Sequence, residues 1–274
     1  MIPKIIFIIP YRDRYYEMEH FKVYMNYILE DIAKTDYEIF FIHQLDNRPF
    51  NRGAMKNIGF ISMKNKYPND YKNICFIFHD IDTLPAIKNT FNYITKPGFI
   101  KHFYGFKYAL GGIFSITGND FEKIKGFPNY WAWGLEDNDI LIRAKQNKVI
   151  IDYSEFCDFK DNKILKINNS SSRTISKQQV WRAGSNSVDN IDKIFNLKYN
   201  INNNMVNVLN FNTHIDPSLD HYVNQNLNEN IKVDANFIPS DSVNKKSDLV
   251  QNTEIVNSNY RYYKNDLNYR FRLL

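Results

Sequence analysis

The chain has 274 residues, of which 43% are hydrophobic and 16% aromatic, and this composition excludes a wholly disordered protein. Its longest apolar run is far shorter than the ~18–20 residues that a membrane-spanning helix needs. With 35 Lys+Arg against 30 Asp+Glu, the net charge of +5 permits phosphate-bearing ligands but does not favour nucleic acid as a partner.

The first third of the chain alternates between apolar segments and amphipathic segments. Residues 4–9 form a continuous apolar run, which is typical of a strand buried on both faces. Apolar residues recur every three or four positions over 15–34 and again over 52–66, which predicts two helices. Apolar segments rich in β-branched and aromatic residues predict further strands at 37–45 and 74–78. This alternation predicts an α/β fold with a mainly parallel central sheet flanked by helices.

Polar residues cluster where the predicted strands end. These clusters cover residues 11–14, 46–52 and 79–82. In open parallel sheets, ligands bind beyond the carboxyl ends of the strands. The sequence therefore predicts a binding site at this edge of the sheet.

Two carboxylates, Asp80 and Asp82, follow the third predicted strand with Ile81 between them. In an extended segment, alternate side chains point the same way, so the two carboxylates would lie side by side. Such a pair is costly unless a cation neutralises it, and oxygen ligands suit Mg²⁺ or Mn²⁺. The alternative is a solvated acidic turn.

Three arginines lie in the polar clusters at the same edge: Arg12 and Arg14 follow the first strand, and Arg52 begins the second helix. A guanidinium group can bind phosphate through two hydrogen bonds, so together the three could hold a diphosphate. The alternative is a set of surface ion pairs, with Asp13 as one partner, which would add little stability.

The segment 126–139 combines two tryptophans with three acidic residues. An exposed indole face can stack on a pyranose while neighbouring carboxylates bind its hydroxyls, and a carboxylate can accept a proton from an attacking hydroxyl. Alternatively, the acidic residues only stabilise the start of a short helix predicted over 140–146. Upstream, Gly111-Gly112 indicates a bend or a close backbone approach.

The second half of the chain is more polar. We predict a core domain over residues 1–200 and an Asn-rich extension over 201–274, packed on the core or appended to it. The composition of 158–185 predicts a loop that closes over a ligand. Residues 260–272 mix aromatic and basic side chains, which would suit an edge strand, a partner surface or a phosphate-binding tail.

Together these motifs resemble the β-1,4-galactosyltransferase family (glycosyltransferase family 7). The histidine before the Asp pair is most similar to the branch that transfers galactose to xylose. The resemblance covers residues 4–145 and extends less closely to about 200. The motifs occur in the following order: Ile9-Pro10-Tyr11-Arg12-Asp13-Arg14, Phe50-Asn51-Arg52, His79-Asp80-Ile81-Asp82-Thr83-Leu84-Pro85, Gly111-Gly112, and Gly126-Phe127-Pro128-Asn129-Tyr130-Trp131-Ala132-Trp133-Gly134-Leu135-Glu136-Asp137.

The resemblance implies a GT-A-like nucleotide-sugar-binding fold and a metal-dependent glycosyltransferase that inverts the anomeric carbon. It implies a UDP-sugar donor, Mn²⁺ (or Mg²⁺) as cofactor, and a glycan or glycoside acceptor. It also implies that Asp82 binds the metal, with Asp80 as a possible second ligand, that Glu136 shapes the catalytic site and that Asp137 is the catalytic base. The residues that it implies for nucleotide-sugar binding are Pro10, Tyr11, Arg12, Arg14, Phe50, Arg52, Asp80, Ile81, Gly111, Gly112 and Trp133.

The sequence departs from the family at four points. The family places a metal-binding histidine about 29 residues after the catalytic aspartate, where this chain has Lys166, so Asp158, Asp161, Asn168 or water would have to replace it. Ala109 replaces a tyrosine that selects galactose, which leaves the donor sugar open. Asn138 replaces an acidic residue and leaves the acceptor open.

The fourth departure is that no signal peptide or membrane anchor is visible. The two cysteines, Cys75 and Cys157, cannot build a disulfide framework. We therefore expect a cytoplasmic protein.

Two other functions fit parts of the sequence. An apolar strand followed by Asp80-Ile81-Asp82-Thr83 also fits an aspartate-nucleophile phosphatase, although that motif usually follows the first strand of its fold. The missing histidine also suits a catalytically inactive sugar- or nucleotide-binding protein on the same fold.

Overall fold

A computed structural model describes residues 1–167, 172–176 and 189–226. These residues form one nine-stranded sheet and two small two-stranded sheets. Within the described residues, no helix combines the length and the apolar character that crossing a membrane requires.

The first five elements agree with the predicted alternation. They are β1 (Ile5–Tyr11), α1 (Tyr15–Ile28), β2 (Tyr37–Gln44), α2 (Arg52–Lys66) and β3 (Cys75–His79). Helix α2 has the predicted bounds. Helix α1 is shorter than predicted, because the chain after Ile28 closes into successive turns in which N–H groups bond carbonyls three residues back.

The rest of the described chain adds further strands and two helices. They are β4 (Thr83–Pro85), β5 (Phe99–Phe106), β6 (Ala109–Thr117), α3 (Gly118–Lys123), α4 (Glu136–Gln146), β7 (Ile150–Asp152), β8 (Cys157–Asp158), β9 (Ile164–Lys166), β10 (Ser172–Ser176), β11 (Phe195–Asn202), β12 (Met205–Asn212) and β13 (Tyr222–Asn226). Short 3₁₀ helices lie at Tyr71–Asn73, Ile191–Lys193 and Pro217–Leu219.

The central sheet has the strand order β11-β12-β2-β1-β3-β6-β5-β7, with β8 also paired to β5. Strands β12, β2, β1 and β3 run parallel to one another. Strand β6 runs antiparallel to both β3 and β5. The predicted α/β fold with a mainly parallel central sheet and flanking helices is therefore confirmed.

The core lies on both faces of the sheet, which explains the continuous apolar run of β1. All seven residues of β1 are buried. Because successive side chains point to opposite faces, Ile6 and Ile8 join a cluster that contains Ile58 of α2, whereas Phe7 joins the cluster that contains Phe21 of α1.

The boundary predicted between residues 200 and 201 falls inside the hairpin of β11 and β12. Strand β12 pairs with β2, so the central sheet continues to residue 212. Most of the predicted extension and all of the segment 260–272 lie outside the described residues. Part of the predicted loop 158–185 also lies outside them, and its described part includes β9 and β10. A separate C-terminal extension therefore stays a prediction.

Helix α2 packs closely on the sheet at Gly59. A Cβ atom there would lie 2.5 Å from Ile8 Cγ2 and 2.9 Å from Ile42 Cγ1. Gly59→Ala should lower the free energy of unfolding by about 1–3 kcal/mol in urea titrations, although alanine is the better helix former. Val23→Ala, at an exposed position on α1, is the control and should change it by less than about 0.5 kcal/mol. A more stable Gly59→Ala protein would contradict this packing.

Candidate functional site

The carboxyl ends of β1, β2 and β3 bring the predicted clusters together. Tyr11 ends β1, and Asp80 follows β3 directly. Asn51, before the first turn of α2, accepts a hydrogen bond from Ala54 N–H (2.8 Å) and donates one to the Asn129 carbonyl (2.9 Å). This cap fixes the start of α2 against the Trp-containing segment 126–139.

Arg52 is the centre of the site. Its Nε and Nη2 atoms donate to Asp80 at 2.6–3.0 Å, and its Nη1 donates to Glu136 (2.7 Å) and to Asp137 (2.8 Å). Only 15% of the Arg52 side chain is exposed. Burial alone would lower the pKa of Arg52, but Asp137, Asp80 and Glu136 raise it well above its ordinary value. One guanidinium therefore joins the Asp pair to the Trp-containing segment.

The two aspartates of the pair have different surroundings. Burial alone would raise the pKa of Asp80, but Arg52 and Lys56 lower it. Burial and the neighbouring Asp80 charge raise the pKa of Asp82. The pair lies in a turn between β3 and β4 rather than in the extended segment assumed from the sequence. The Asp82 carbonyl accepts a hydrogen bond from Ile167 N–H at 2.8 Å, which ties this turn to β9.

The chemistry of this turn fits a divalent cation. Among the described residues, Asp82 has no ion-pair partner within 4.0 Å, although it lies beside a second carboxylate. No group of three or more His, Cys, Asp or Glu side chains in those residues is arranged to hold a metal ion. The fit is therefore to an ion that takes one or two carboxylates from the chain and its other ligands from phosphate and water.

The described residues that were predicted to replace the family's histidine do not form a set of metal ligands with the Asp pair. Lys166 lies on β9 opposite Thr83, and its ammonium donates to the Phe159 carbonyl. Asp158 and Asp161 each accept a hydrogen bond from a backbone N–H two residues further along the chain. Asn168 lies outside the described residues.

Helix α4 begins at Glu136, four residues earlier than predicted, because Leu135 before it adopts a left-handed conformation (φ 64°). Glu136 and Asp137 are therefore in the first turn, where the helix dipole favours negative charge. Glu136 is buried, and burial together with the Asp137 charge raises its pKa. The helix thus presents Asp137 to the site with Glu136 beneath it.

The glycine pair makes room for Asp137. A Cβ atom at Gly111 would lie 2.3 Å from Asp137 Oδ2. Gly112 has φ +68°, and a Cβ there would lie 2.4 Å from the Tyr104 carbonyl oxygen. His102 Nε2, 3.0 Å from both the Tyr104 and Gly111 carbonyl oxygens, fixes this turn. The close approach predicted from the glycines is therefore present, and its partner is Asp137.

The two tryptophans have different environments. Trp131 is only 1% exposed, stacks on Phe211 and donates from Nε1 to Thr213 (3.0 Å). The expectation of an exposed indole is therefore wrong for Trp131, because the chain after β12 covers it. Trp133 is half-buried at the site, with the Arg173 guanidinium 4.5 Å from its ring centroid.

The remaining predicted binding residues lie around the ends of β1 and β3 and the starts of α1 and α2. Pro10 and Tyr11 are buried. The Arg12 guanidinium lies 5.3 Å from the Phe50 ring centroid and donates to the Arg48 carbonyl (2.6 Å). Arg14, which is partly exposed, donates to the buried Glu17 at 3.0 Å. Ile81, between the two aspartates, is buried against the sheet.

Two residues of the site were not predicted. Lys56, one turn after Arg52 on α2, lies 3.6 Å from Asp80 and 3.7 Å from Asp137. Arg173 on β10 lies over Trp133, and Asp82 is the charge that most opposes the lowering of its pKa by burial. Lys56 could have been noticed in the sequence, because it is a charged residue at a position of α2 where the periodicity predicts an apolar one. Arg173 had none, since it lies in a stretch that resembles a loop.

The comparisons agree with this architecture. Two family models match: the N-terminal region of glycosyl transferase group 7, over residues 2–95, and the N-terminal domain of galactosyltransferase, over residues 99–165. The chain is similar to beta-1,4-galactosyltransferase 4 of Cricetulus griseus (31% identity; 55% of this chain, 45% of the relative) and to beta-1,4-galactosyltransferase 1 of Mus musculus (34%; 51% and 36%). It therefore spans less than half the length of these curated relatives.

A solved structure has the same fold. The catalytic domain of Drosophila beta1,4-galactosyltransferase 7 in complex with xylobiose matches with a TM-score of 0.60 and 21% identity, over 79% of this chain and 97% of that one. A mutant of that enzyme, in complex with manganese, UDP-Gal and xylobiose, matches equally well. The expected resemblance to a galactosyltransferase catalytic domain is therefore confirmed for the fold.

Arg52→Met should destabilise the protein, because it leaves the buried Glu136 and the partly buried Asp80 and Asp137 without their main cation. We expect the free energy of unfolding at about pH 7 to fall by roughly 3–5 kcal/mol in urea titrations. Since burial and the Asp137 charge already raise the pKa of Glu136, lowering the pH below neutral should favour the protonated carboxyl in the variant and recover part of the loss.

The control is Lys4→Met, which removes an exposed partner of Asp36 and should cost less than about 1 kcal/mol. An Arg52→Met protein as stable as the parent at neutral pH would contradict the central position of Arg52.

Proposed function

The chain belongs to glycosyl transferase group 7, the family of the β-1,4-galactosyltransferases, and on that premise we propose that it is a glycosyltransferase. It moves a hexose or N-acetylhexosamine from a UDP-sugar to a hydroxyl of a glycan or glycoside acceptor. The observation that supports this most directly is the single guanidinium of Arg52, which contacts both Asp80 of the acidic pair and Asp137 at the start of α4.

In this proposal the donor lies along the edge formed by β1 and α2. The ring of Phe50 and the guanidinium of Arg12 form one apolar and charged wall, which suits a nucleobase. Arg14 and Arg52 exchange their carboxylate partners for the diphosphate, whose oxygens accept hydrogen bonds from guanidinium groups. Pro10, Tyr11 and Ile81 are buried and hold the backbone of this edge in place.

Asp82, assisted by Asp80, would hold Mn²⁺ or Mg²⁺. Such an ion supplies stabilisation of the negative charge that develops on the departing diphosphate. The raised pKa of Asp82 reflects burial and the charge of Asp80, both of which a cation would counteract. The chain contributes two carboxylates, and phosphate and water provide the other ligands.

Asp137 acts as the general base. The acceptor oxygen attacks the anomeric carbon from the face opposite the diphosphate, the bond to the diphosphate oxygen breaks, and the hydroxyl proton passes to Asp137. Attack from that face inverts the anomeric carbon. Glu136 is beneath Asp137 and shares Arg52 with it, while Gly111 and Gly112 leave the space into which Asp137 projects. Trp133 forms the wall on which a sugar ring can stack.

The donor sugar and the acceptor stay open in this proposal. Ala109 is buried at the start of β6, and its short side chain leaves room for galactose, glucose or an N-acetylated sugar. The location of the protein, expected to be the cytoplasm, also stays a prediction of the sequence.

The phosphatase alternative has less support. It needs a free Asp80 oxygen as nucleophile, whereas both Asp80 oxygens accept hydrogen bonds from Arg52.

UDP release from UDP-galactose, UDP-GalNAc and UDP-glucose with Mn²⁺ would support the transferase. Phosphate release from a phosphomonoester, or binding without turnover on a broad acceptor panel, would instead support the phosphatase or the inactive binding protein.

Asp137→Asn should keep UDP-sugar binding and lose transfer, because the amide cannot accept the acceptor proton. A decrease in kcat of at least about 100-fold is expected, measured as UDP release alongside donor binding by calorimetry. The control is Asp192→Asn, which changes an exposed partner of Lys125 far along the chain and should leave kcat unchanged. Full turnover by Asp137→Asn would refute the assignment of the base.

Asp82→Ala should remove the metal-dependent part of UDP binding. It deletes the carboxylate that has no cationic side chain as an ion-pair partner among the described residues. Calorimetry with UDP, in the presence and absence of Mn²⁺, measures this part directly. We expect the parent to bind UDP at least about tenfold more tightly with Mn²⁺ and the variant to show no such gain. An equal gain in both proteins would place the metal elsewhere.

A further inference from the structure

Lys56 is a buried cation to which the proposed mechanism gives no role. It is 0% exposed in the second turn of α2, and it is the only charged residue among the ten buried residues of that helix. Its ammonium nitrogen finds no hydrogen-bond partner among the described residues. A lysine that is fully buried is rare unless it is paired, so its presence needs an explanation.

The Lys56 ammonium lies beneath the two carboxylates that matter most in the site. Its Nζ is 3.6 Å from Asp80 Oδ1 and 3.7 Å from Asp137 Oδ1. Arg52 donates to the same two oxygen atoms. On the other side, the ammonium lies 4.8 Å from the Phe127 ring centroid. The two cations thus face the same two carboxylate oxygens, Lys56 from the buried side and Arg52 from the open side.

An apolar side chain would be the simpler choice at this position. Burying an ammonium carries a desolvation cost of several kcal/mol, and methionine has nearly the same length and would pack on Phe127. Burial and the Arg52 charge lower the pKa of Lys56, while Asp137, Asp80 and Glu136 oppose this. The lysine is therefore kept charged against a desolvation cost that its carboxylate neighbours offset.

Arg52 cannot serve the carboxylates and the donor equally well at the same time. If it turns to the diphosphate, Asp80 and Asp137 lose their closest cation while both remain in a poorly solvated site. Lys56 is anchored on the helix and covered from solvent, so it stays with them.

We propose, on the basis of the transferase function above, that Lys56 is a positioning residue whose fixed charge holds Asp80 and Asp137 in place while Arg52 binds the donor diphosphate. Lys56 itself does not contact the substrate. Its charge also opposes the binding of a second cation at the Asp pair. The same charge therefore has two effects. The metal affinity is weaker than the two aspartates alone would give, and Asp137 keeps its position during turnover.

The test uses the full chain with Lys56→Met and Lys56→Gln, which both remove the charge and of which only glutamine can hydrogen-bond. We expect kcat for UDP release to fall about tenfold or more in both variants, with the donor KM changed less than about threefold. Without UDP, Mn²⁺ binding measured by calorimetry should tighten by about threefold or more, because a nearby positive charge has been removed. Lys64→Met, on the same helix and part-exposed, is the matched control and should change neither quantity.

The tighter Mn²⁺ binding separates this role from a structural one, since a loosened site would bind the ion more weakly. The inference is overturned if both Lys56 variants keep the parent's kcat and Mn²⁺ affinity, if they bind Mn²⁺ more weakly, or if neither folds. If the parent itself releases no UDP, the proposed transferase function fails, and tighter Mn²⁺ binding in the variants would still support the placement of the Lys56 charge against the Asp pair.

Discussion

The site depends on one guanidinium that two separate parts of the chain must share. Asp80 follows a strand of the parallel half of the sheet, whereas Glu136 and Asp137 begin a helix more than fifty residues later. Arg52 contacts all three. Without a cation at this point, the fold would bring carboxylates together in a poorly solvated region, where their repulsion is strong. The same arrangement puts the residues proposed to hold a metal and those proposed to move a proton on one rim.

A buried polar network places the guanidinium where it is needed. Asn51 caps α2 and bonds to the carbonyl of Asn129, while Asn57 bonds to the side chain of Asn129 and to the Phe127 carbonyl. Asn129 in turn bonds to Asp189. Because each of these amides is satisfied inside the protein, the network specifies one position of α2 against the Trp-containing segment. The geometry of the site thus depends on side-chain amides that take no part in the proposed reaction.

Much of this could be predicted from the sequence, and the failures have physical causes. The apolar run of β1 and the periodicity of α2 are local patterns, so both elements were predicted closely. The start of α4 was missed because it depends on a left-handed Leu135, which no local preference favours. Trp131 was expected to be exposed, but a distant segment covers it. Lys56 was missed because its partners come from β3 and α4, which only the tertiary fold brings to it.

The central claim is that the acidic pair and the proton acceptor belong to one donor site organised by Arg52. A crystal structure of the protein soaked with UDP and Mn²⁺ tests it most directly. We expect the ion on Asp82, the diphosphate between the ion and Arg52, and Asp137 facing the open side of the same cavity. UDP and Mn²⁺ bound away from this rim, or Asp80 and Asp137 facing separate cavities, would contradict it.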